Sequence, residues 1–393
     1  MIDRRMLPLM FAVFINIAGF SLILPLLPFY GPLFGAGPFE VALLFAAYSL
    51  GNVFGEIFWG RQSDKWGRRA VLGWTTAGAA LTYVAFAYAP DLWIAIGIRI
   101  VNGFFGGTLS VAQGFIADAS PPERRAKAMG LFGASFSLGF AFGPVIGGLF
   151  AGAGTGLADF RLPILIAAGF AAITSAWSFA VLRDINPPKG KAAPLPKYSE
   201  GFAYVRASPL LLRLFVISFF GIAAFASMEA VYGLWSEHNF GWSARDLGIA
   251  FLAIGVSGLV VQLFLLHPLV SRFGEGRVIT GGLAVLAASM MFQPVLRDPW
   301  AAAALMGMLM VGHSLAFPTA GALTSRNAPV ERQGSIMGLM MASNAFSRIV
   351  APPAFGLIYE WGHDAPWFAG AVMIALVVPL ALQLVRLTAR PSG

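Results

Sequence analysis

The sequence predicts an all-α membrane protein with twelve transmembrane helices arranged as two related bundles of six. Three observations predict it. Apolar stretches of about 20 residues, the length that crosses the hydrocarbon layer of a bilayer, recur along the whole chain. The chain is 58% hydrophobic and 11% charged, against about 25% charged in ordinary soluble domains. Finally, the stretch Pro121–Leu131 returns 208 positions later as Pro329–Leu339, with Ala134, Pro144 and Gly148 returning in step as Ala342, Pro352 and Gly356.

In chain order, Arg4 and Arg5 precede the first apolar run, Leu7–Phe29, which is too long for a cleaved signal peptide and reads as a first span. Further spans are expected at Glu40–Gly60, Ala70–Ala89, Leu92–Ala117, Ala128–Ala151 and Phe160–Leu182. After a polar stretch they resume at Leu210–Trp235, Leu247–Leu266, Val278–Leu296, Trp300–Leu323, Gly334–Tyr359 and Trp367–Leu387. Lysine and arginine gather before span 1, in alternate connections and in the tail, which puts both termini in the cytoplasm. The long polar connection is rich in proline and lysine and carries a short helix over Tyr198–Ala207. It divides the chain into a first bundle at 1–183, a linker at 184–208 and a second bundle at 209–393. Trp235, Trp300 and Trp367, near span ends, are expected as interfacial anchors.

Gly60-Arg-Gln-Ser-Asp64-Lys65-Trp-Gly67-Arg68-Arg69 lies between spans 2 and 3. Four cations and an acid cannot sit in lipid, so a tight cytoplasmic loop is expected here. Its spacing resembles the loop 2–3 motif of the major facilitator superfamily of secondary transporters. Two other stretches are similar to motifs of that family: Arg99-Ile-Val-Asn102-Gly103 in span 4, and Gly139-x-x-x-Gly143-Pro144-x-x-Gly147-Gly148 in span 5, a pattern associated with its antiporters. The segment around Asp118, with Pro25 and Pro28 of span 1, resembles tetracycline-type efflux pumps. Where those exporters commonly carry an aspartate in span 1, this chain has Asn16. The resemblance implies two bundles about a midplane substrate site. It also implies that Asp64 faces the start of span 11 and that Arg68 pairs with Asp118 in a cytoplasmic gate. Orientation in the membrane would account for the arginines, but it needs neither the aspartate nor the glycine spacing. The glycines of span 5 serve close packing whether or not they also seal the bundle.

Several intramembrane polar residues are candidates for proton coupling or substrate contact, because such residues are costly in lipid and mark pathways or partners. Glu229 in span 7 has no cation beside it in sequence. Arg99 either tunes a nearby carboxylate or bonds helix carbonyls. Glu56, one turn before Gly60, is a second acid, with a structural salt bridge as its plainer reading. His313 of span 10 could carry protons or bond between helices. Asn344 and Arg348, one turn apart on span 11, share a face, and Arg348 could neutralise Glu229.

Other chemistry is missing. The absence of cysteine removes disulfides and thiolate metal sites. No phosphate-binding loop, zinc helix motif or nucleophile elbow occurs, so neither an enzyme, a metal nor a cofactor beyond the proton gradient is expected. The net charge of +8 falls in short connections, which favours membrane orientation over nucleic acid. The expected activity is proton-coupled export of a small amphiphilic compound by alternating access, from a monomer in a bacterial inner membrane. A metabolite transporter of the same fold is the alternative, followed by a transport-inactive receptor or scaffold.

Overall fold

The computed structural model describes residues 7–119, 122–152, 156–184, 198–329 and 331–388, less the side chains of 117, 119, 122–127 and 129. Most of the expected linker, 185–197, and parts of the repeated Pro121 and Pro329 stretches lie outside the described residues. Among the described residues the secondary structure is helical throughout.

Span 1 begins as α1 (Leu7–Leu22), but Pro25, Pro28 and Pro32 each remove a backbone donor. It continues as short 3-10 turns around α2 (Leu27–Tyr30), reaching Phe34. Tyr30 fixes this irregular end by donating to the Phe86 carbonyl at 2.8 Å. α3 (Pro38–Trp66) and α4 (Arg68–Ala87) follow. The expected tight loop over Gly60–Arg69 is therefore helix up to Trp66, and Gly67 alone breaks it, at φ +91°. Charge excludes that stretch from lipid without stopping a helix, and only glycine adopts the positive φ of the break at little cost.

Span 4 is two helices, α5 (Leu92–Phe105) and α6 (Leu109–Ala119), separated at Gly106–Thr108. α5 starts on Asp91, whose side chain accepts from the Ile94 N–H at 2.9 Å. Glycines let this bent span press on α3: a Cβ at Gly103 would lie 2.0 Å from the Tyr48 carbonyl, and one at Gly107 2.4 Å from the Gly55 backbone. α7 (Pro122–Phe150) and α8 (Ala158–Val181) complete the first six spans.

The short helix α9 (Tyr198–Ala207) runs into α10 (Pro209–Phe240). Span 8 is α11 (Ala244–Val260), a π turn at Val261–Leu265 and α12 (Leu266–Phe273). Gly274, at φ +81°, breaks the chain before α13 (Glu275–Phe292), as Gly67 does in the first half. α14 (Pro299–Asn327), α15 (Gln333–Trp361) and α16 (Ala365–Thr388) complete the chain.

Eleven of these segments are long and apolar enough to cross a membrane. α15, with 29 residues, has the length as well. Asn344, Ser347, Arg348, Pro352 and Pro353 lower its apolarity, and with it the described residues supply twelve spans. Large apolar side chains such as Leu81, Leu376 and Phe264 lie exposed along the spans, the surface that lipid covers in an integral membrane protein.

The helices form two compact units: 1–194 with 241–255, and 195–240 with 256–393. The first has a core that includes Leu9, Ile17, Trp59, Val71, Val111 and Ile116. In the second, Trp235 and Trp367 are fully buried beside Tyr232, and the Trp235 indole donates to Asp364 at 2.8 Å. These two tryptophans are core residues and not the expected interfacial anchors. The position of Trp300, by contrast, is exposed.

Candidate functional site

At the α3–α4 break the charged residues fold onto one another. Arg68 bridges Asp64 at 2.8 Å and Asp118, near the end of α6, at 3.1 Å, and it also donates to the Ser63 hydroxyl. Asp184, just past α8, accepts from the Arg69 N–H at 2.9 Å and so supplies a partner to the first turn of α4. Arg69 itself donates to the Phe179 carbonyl. A side chain at Gly67 would collide with Asp184, its Cβ falling 2.4 Å from Oδ2. Lys65 is exposed at the last turn of α3, and Gly60 stays helical beside Ser110. Sequence reasoning placed Arg68 on Asp118. It missed Ser63 and Asp184, the latter being one acid in a polar stretch with nothing to mark it.

Deeper in the first unit, Arg99 is buried. Its Nε donates to the Leu44 carbonyl at 3.2 Å, its Nη1 to Asn102 Oδ1 at 3.4 Å, and its guanidinium lies 4.8 Å from the centre of the Tyr48 ring. Asn102 passes the network on by donating to Thr82 at 2.7 Å. No acid lies within ion-pair distance of Arg99 among the described residues. Glu56 accepts from the Ser110 N–H at 2.9 Å. Asn16 donates to Thr108 at 3.0 Å, in the break of span 4. Both residues line a cavity of ≈ 20 Å³ with Thr76, Thr174 and Ser178, room for a single water.

The glycines of α7 present two faces. At Gly139, Gly143 and Gly147 a Cβ would lie 2.7, 2.4 and 2.1 Å from the carbonyls of Phe14, Ala18 and Leu22, so α1 packs directly on this stripe. Ser21 adds a bond to the Gly139 carbonyl at 3.1 Å. Pro144 and Gly148 face the start of α11: a Cβ at Gly148 would lie 2.6 Å from the Ala244 carbonyl, and one at Gly248 2.6 Å from the Pro144 carbonyl. Gly248 is a partner the sequence pattern did not reveal.

The second unit gathers the remaining candidates. Arg348 Nη1 stands 3.8 Å from Glu229 Oε2, with Glu229 9% exposed and the arginine side chain 40% exposed. A charge-assisted hydrogen bond closes at about 2.7–2.9 Å, so this is an ion pair without one. The His313 ring sits between Phe225 and Phe317, with centroids 4.2 and 4.6 Å away. His313 Nε2 and Asn344 Oδ1 are buried without a hydrogen-bond partner. Phe225 lies one turn before Glu229 on α10, and Asn344 one turn before Arg348 on α15. Acid, base, amide and imidazole thus share one neighbourhood whose polar capacity is largely unspent. No three histidine or acidic side chains among the described residues converge as metal ligands.

The model of the Major Facilitator Superfamily matches residues 9–266 and 230–393. The class C tetracycline resistance protein of Escherichia coli is 28% identical over 344 residues, 86% of this chain and 85% of that protein. The quinolone resistance protein NorA of Staphylococcus aureus (strain COL) is 25% identical over 390 residues, 97% of each chain. In fold, the chain matches a bacterial homologue of the human lysosomal transporter Spinster, inward-facing and unoccupied, with TM-score 0.79 at 14% identity, over 98% of this chain and 97% of that one. The family match spans both halves, and the helices follow the architecture it implies. The chain belongs to the Major Facilitator Superfamily and is a secondary active transporter.

Proposed function

We propose that this transporter exports a small amphiphilic compound in exchange for protons, and that Glu229 of the second unit is its coupling acid. The observation that carries the reading is the Glu229–Arg348 pair, held at 3.8 Å beside the unpartnered Nε2 of His313 and Oδ1 of Asn344. A buried polar group without a partner costs about 1–3 kcal/mol. A ligand that bonds these atoms recovers that cost, and a proton on Glu229 frees Arg348 to meet the ligand. The resistance proteins of Escherichia coli and Staphylococcus aureus point to drug-like cargo.

In this reading the two bundles, 1–183 and 209–393 about the 184–208 linker, alternate access. Arg68, Asp64 and Asp118 gate the cytoplasmic side, and Gly139–Gly148 packs the bundle against leak. Arg99 and Asn102 brace span 4. The protein works as a monomer in a bacterial inner membrane with both termini cytoplasmic, driven by the proton gradient without a cofactor. Proteoliposomes with an imposed pH gradient, loaded with tetracycline, norfloxacin or a cationic dye, test it. Glu229→Gln abolishes proton-driven export on this reading; export that keeps its full dependence on the gradient refutes the assignment.

A further inference from the structure

Span 4 is interrupted inside the membrane, and Glu56 ends at the interruption. The first amides of α6 have no intrahelical acceptor. The Glu56 carboxylate serves as an acceptor at this end: Oε2 accepts from the Ser110 N–H at 2.9 Å. Ser110 returns a bond from its hydroxyl to the Glu56 carbonyl at 3.4 Å. A negative charge at this helix end is further favoured by the helix dipole.

What faces Glu56 is polar but not cationic. On its own helix the titratable neighbour is Tyr48, whose ring is covered by Arg99 of α5. From α6 come the amide and hydroxyl of Ser110, and the acid of that helix, Asp118, is held by Arg68 of α4. No cation lies within ion-pair distance of Glu56 among the described residues. α6 is thus tied at both ends by acids. Glu56 holds its first turn, and the Asp118–Arg68 pair holds its last, roughly 12 Å away at the rise of an α-helix.

We propose that Glu56 is a second proton-exchange site, separate from Glu229, whose charge state sets the bend in span 4 and through α6 the hold on the Asp118–Arg68 pair. Glu56 is a positioning residue: it acts on the gate through a helix and need not touch cargo. When a proton is taken up, one carboxylate oxygen becomes a hydroxyl and the charge at the helix end is lost. The bond from the Ser110 N–H then loses its charge assistance, so the first turn of α6 loosens.

Hydrogen exchange on the full chain in lipid nanodiscs, read on peptides covering 106–119, tests this. After correction for intrinsic rates, wild-type α6 exchanges about tenfold faster at low pH than at high pH, the loss of one helix cap. Glu56→Gln exchanges fast at both and shows no pH response, while Glu229→Gln keeps the wild-type response. A wild-type α6 indifferent to pH, or a response that survives in Glu56→Gln, overturns the proposal. Infrared difference spectra between high and low pH are independent of any failure of Glu56→Gln to fold. Glu56→Asp keeps an acid, and it should shift the protonated carboxyl band; an unshifted spectrum overturns the proposal as well.

Discussion

Replacing Gly143 by alanine places a methyl group where α1 already stands. The new Cβ would lie 2.1 Å from the Ser21 hydroxyl and 2.4 Å from the Ala18 carbonyl. Ordinary contact lies near 3.5 Å, so α1 and α7 must part by on the order of 1 Å. The Ser21 bond to the Gly139 carbonyl, 3.1 Å long, breaks first. Overpacking of this kind costs about 1–3 kcal/mol, against which alanine in a helix returns about 1 kcal/mol over glycine. Gly169→Ala in α8 is the control, because a Cβ there meets nothing within 4 Å. It keeps the propensity gain and pays no clash. The two substitutions therefore move stability in opposite directions, by a difference of about 1–3 kcal/mol. Thermal unfolding in detergent, followed by tryptophan fluorescence, reads this as a midpoint lowered in one protein and raised or unchanged in the other. Equal midpoints would mean that the close approach of α1 and α7 is not what Gly143 provides.

Other substitutions separate effects that look alike in sequence. Gly67→Ala meets both a positive φ and Asp184, whereas Gly274→Ala meets the φ alone with open space around it. The backbone conformation, shared by both, costs a non-glycine residue about 1–3 kcal/mol, and the clash with Asp184 should make the first lower the unfolding midpoint more. Arg68→Gln should cost roughly 1–2 kcal/mol, discounted for partial exposure, while Arg326→Gln, whose side chain is 71% exposed against Glu275, should stay within about 0.5 kcal/mol in the same assay. Asp364→Ala strips the acceptor from the buried Trp235 indole and from Arg297. A loss of about 1–3 kcal/mol is expected, together with a shift of tryptophan emission; an unchanged spectrum counts against the Trp235–Asp364 bond.

The span layout was legible because a bilayer imposes a length and a polarity that hydropathy reads directly. α15 was found in spite of its Asn344 and Arg348, since its ends are marked by charged connections. Charge speaks of water and not of conformation, which is why Gly60–Trp66 reads as a loop and is a helix. The bend at Gly106–Thr108 was hidden for a different reason. Glycines such as Gly103, Gly106 and Gly107 also serve close packing in unbroken membrane helices, and what decides the matter is α3 alongside. Arg68 and Asp118 could be paired through a resemblance of motifs, whereas Glu56 on Ser110 and Asp184 on Arg69 are long-range bonds with no local pattern. Trp235 and Trp367 mislead because an aromatic near a span end has the same sequence whether it faces lipid or the core.

The internal duplication preserved geometry and changed chemistry. Gly67 and Gly274 break the chain with nearly the same backbone angles, φ +91° and ψ 150° against φ +81° and ψ 159°. Each is followed by a charge that pairs with the end of its half's fourth span: Arg68 with Asp118, and Glu275 with Arg326 at 2.5 Å. Asp118 and Arg326 are 208 positions apart, the step of the repeat, so the pair recurs with its signs exchanged. Attraction depends on the product of the two charges, and exchanging both leaves it intact. Inside the bundles the halves diverge in the opposite sense. The first unit gives Arg99, Asn102, Glu56 and Asn16 partners of their own. The second leaves His313 Nε2 and Asn344 Oδ1 without any and holds Glu229 off Arg348. Unmet polar capacity is destabilising unless something arrives to meet it. That asymmetry is the physical ground for the proposal that Glu229 exchanges the coupling proton beside the cargo, and that Glu56 has a mechanical task.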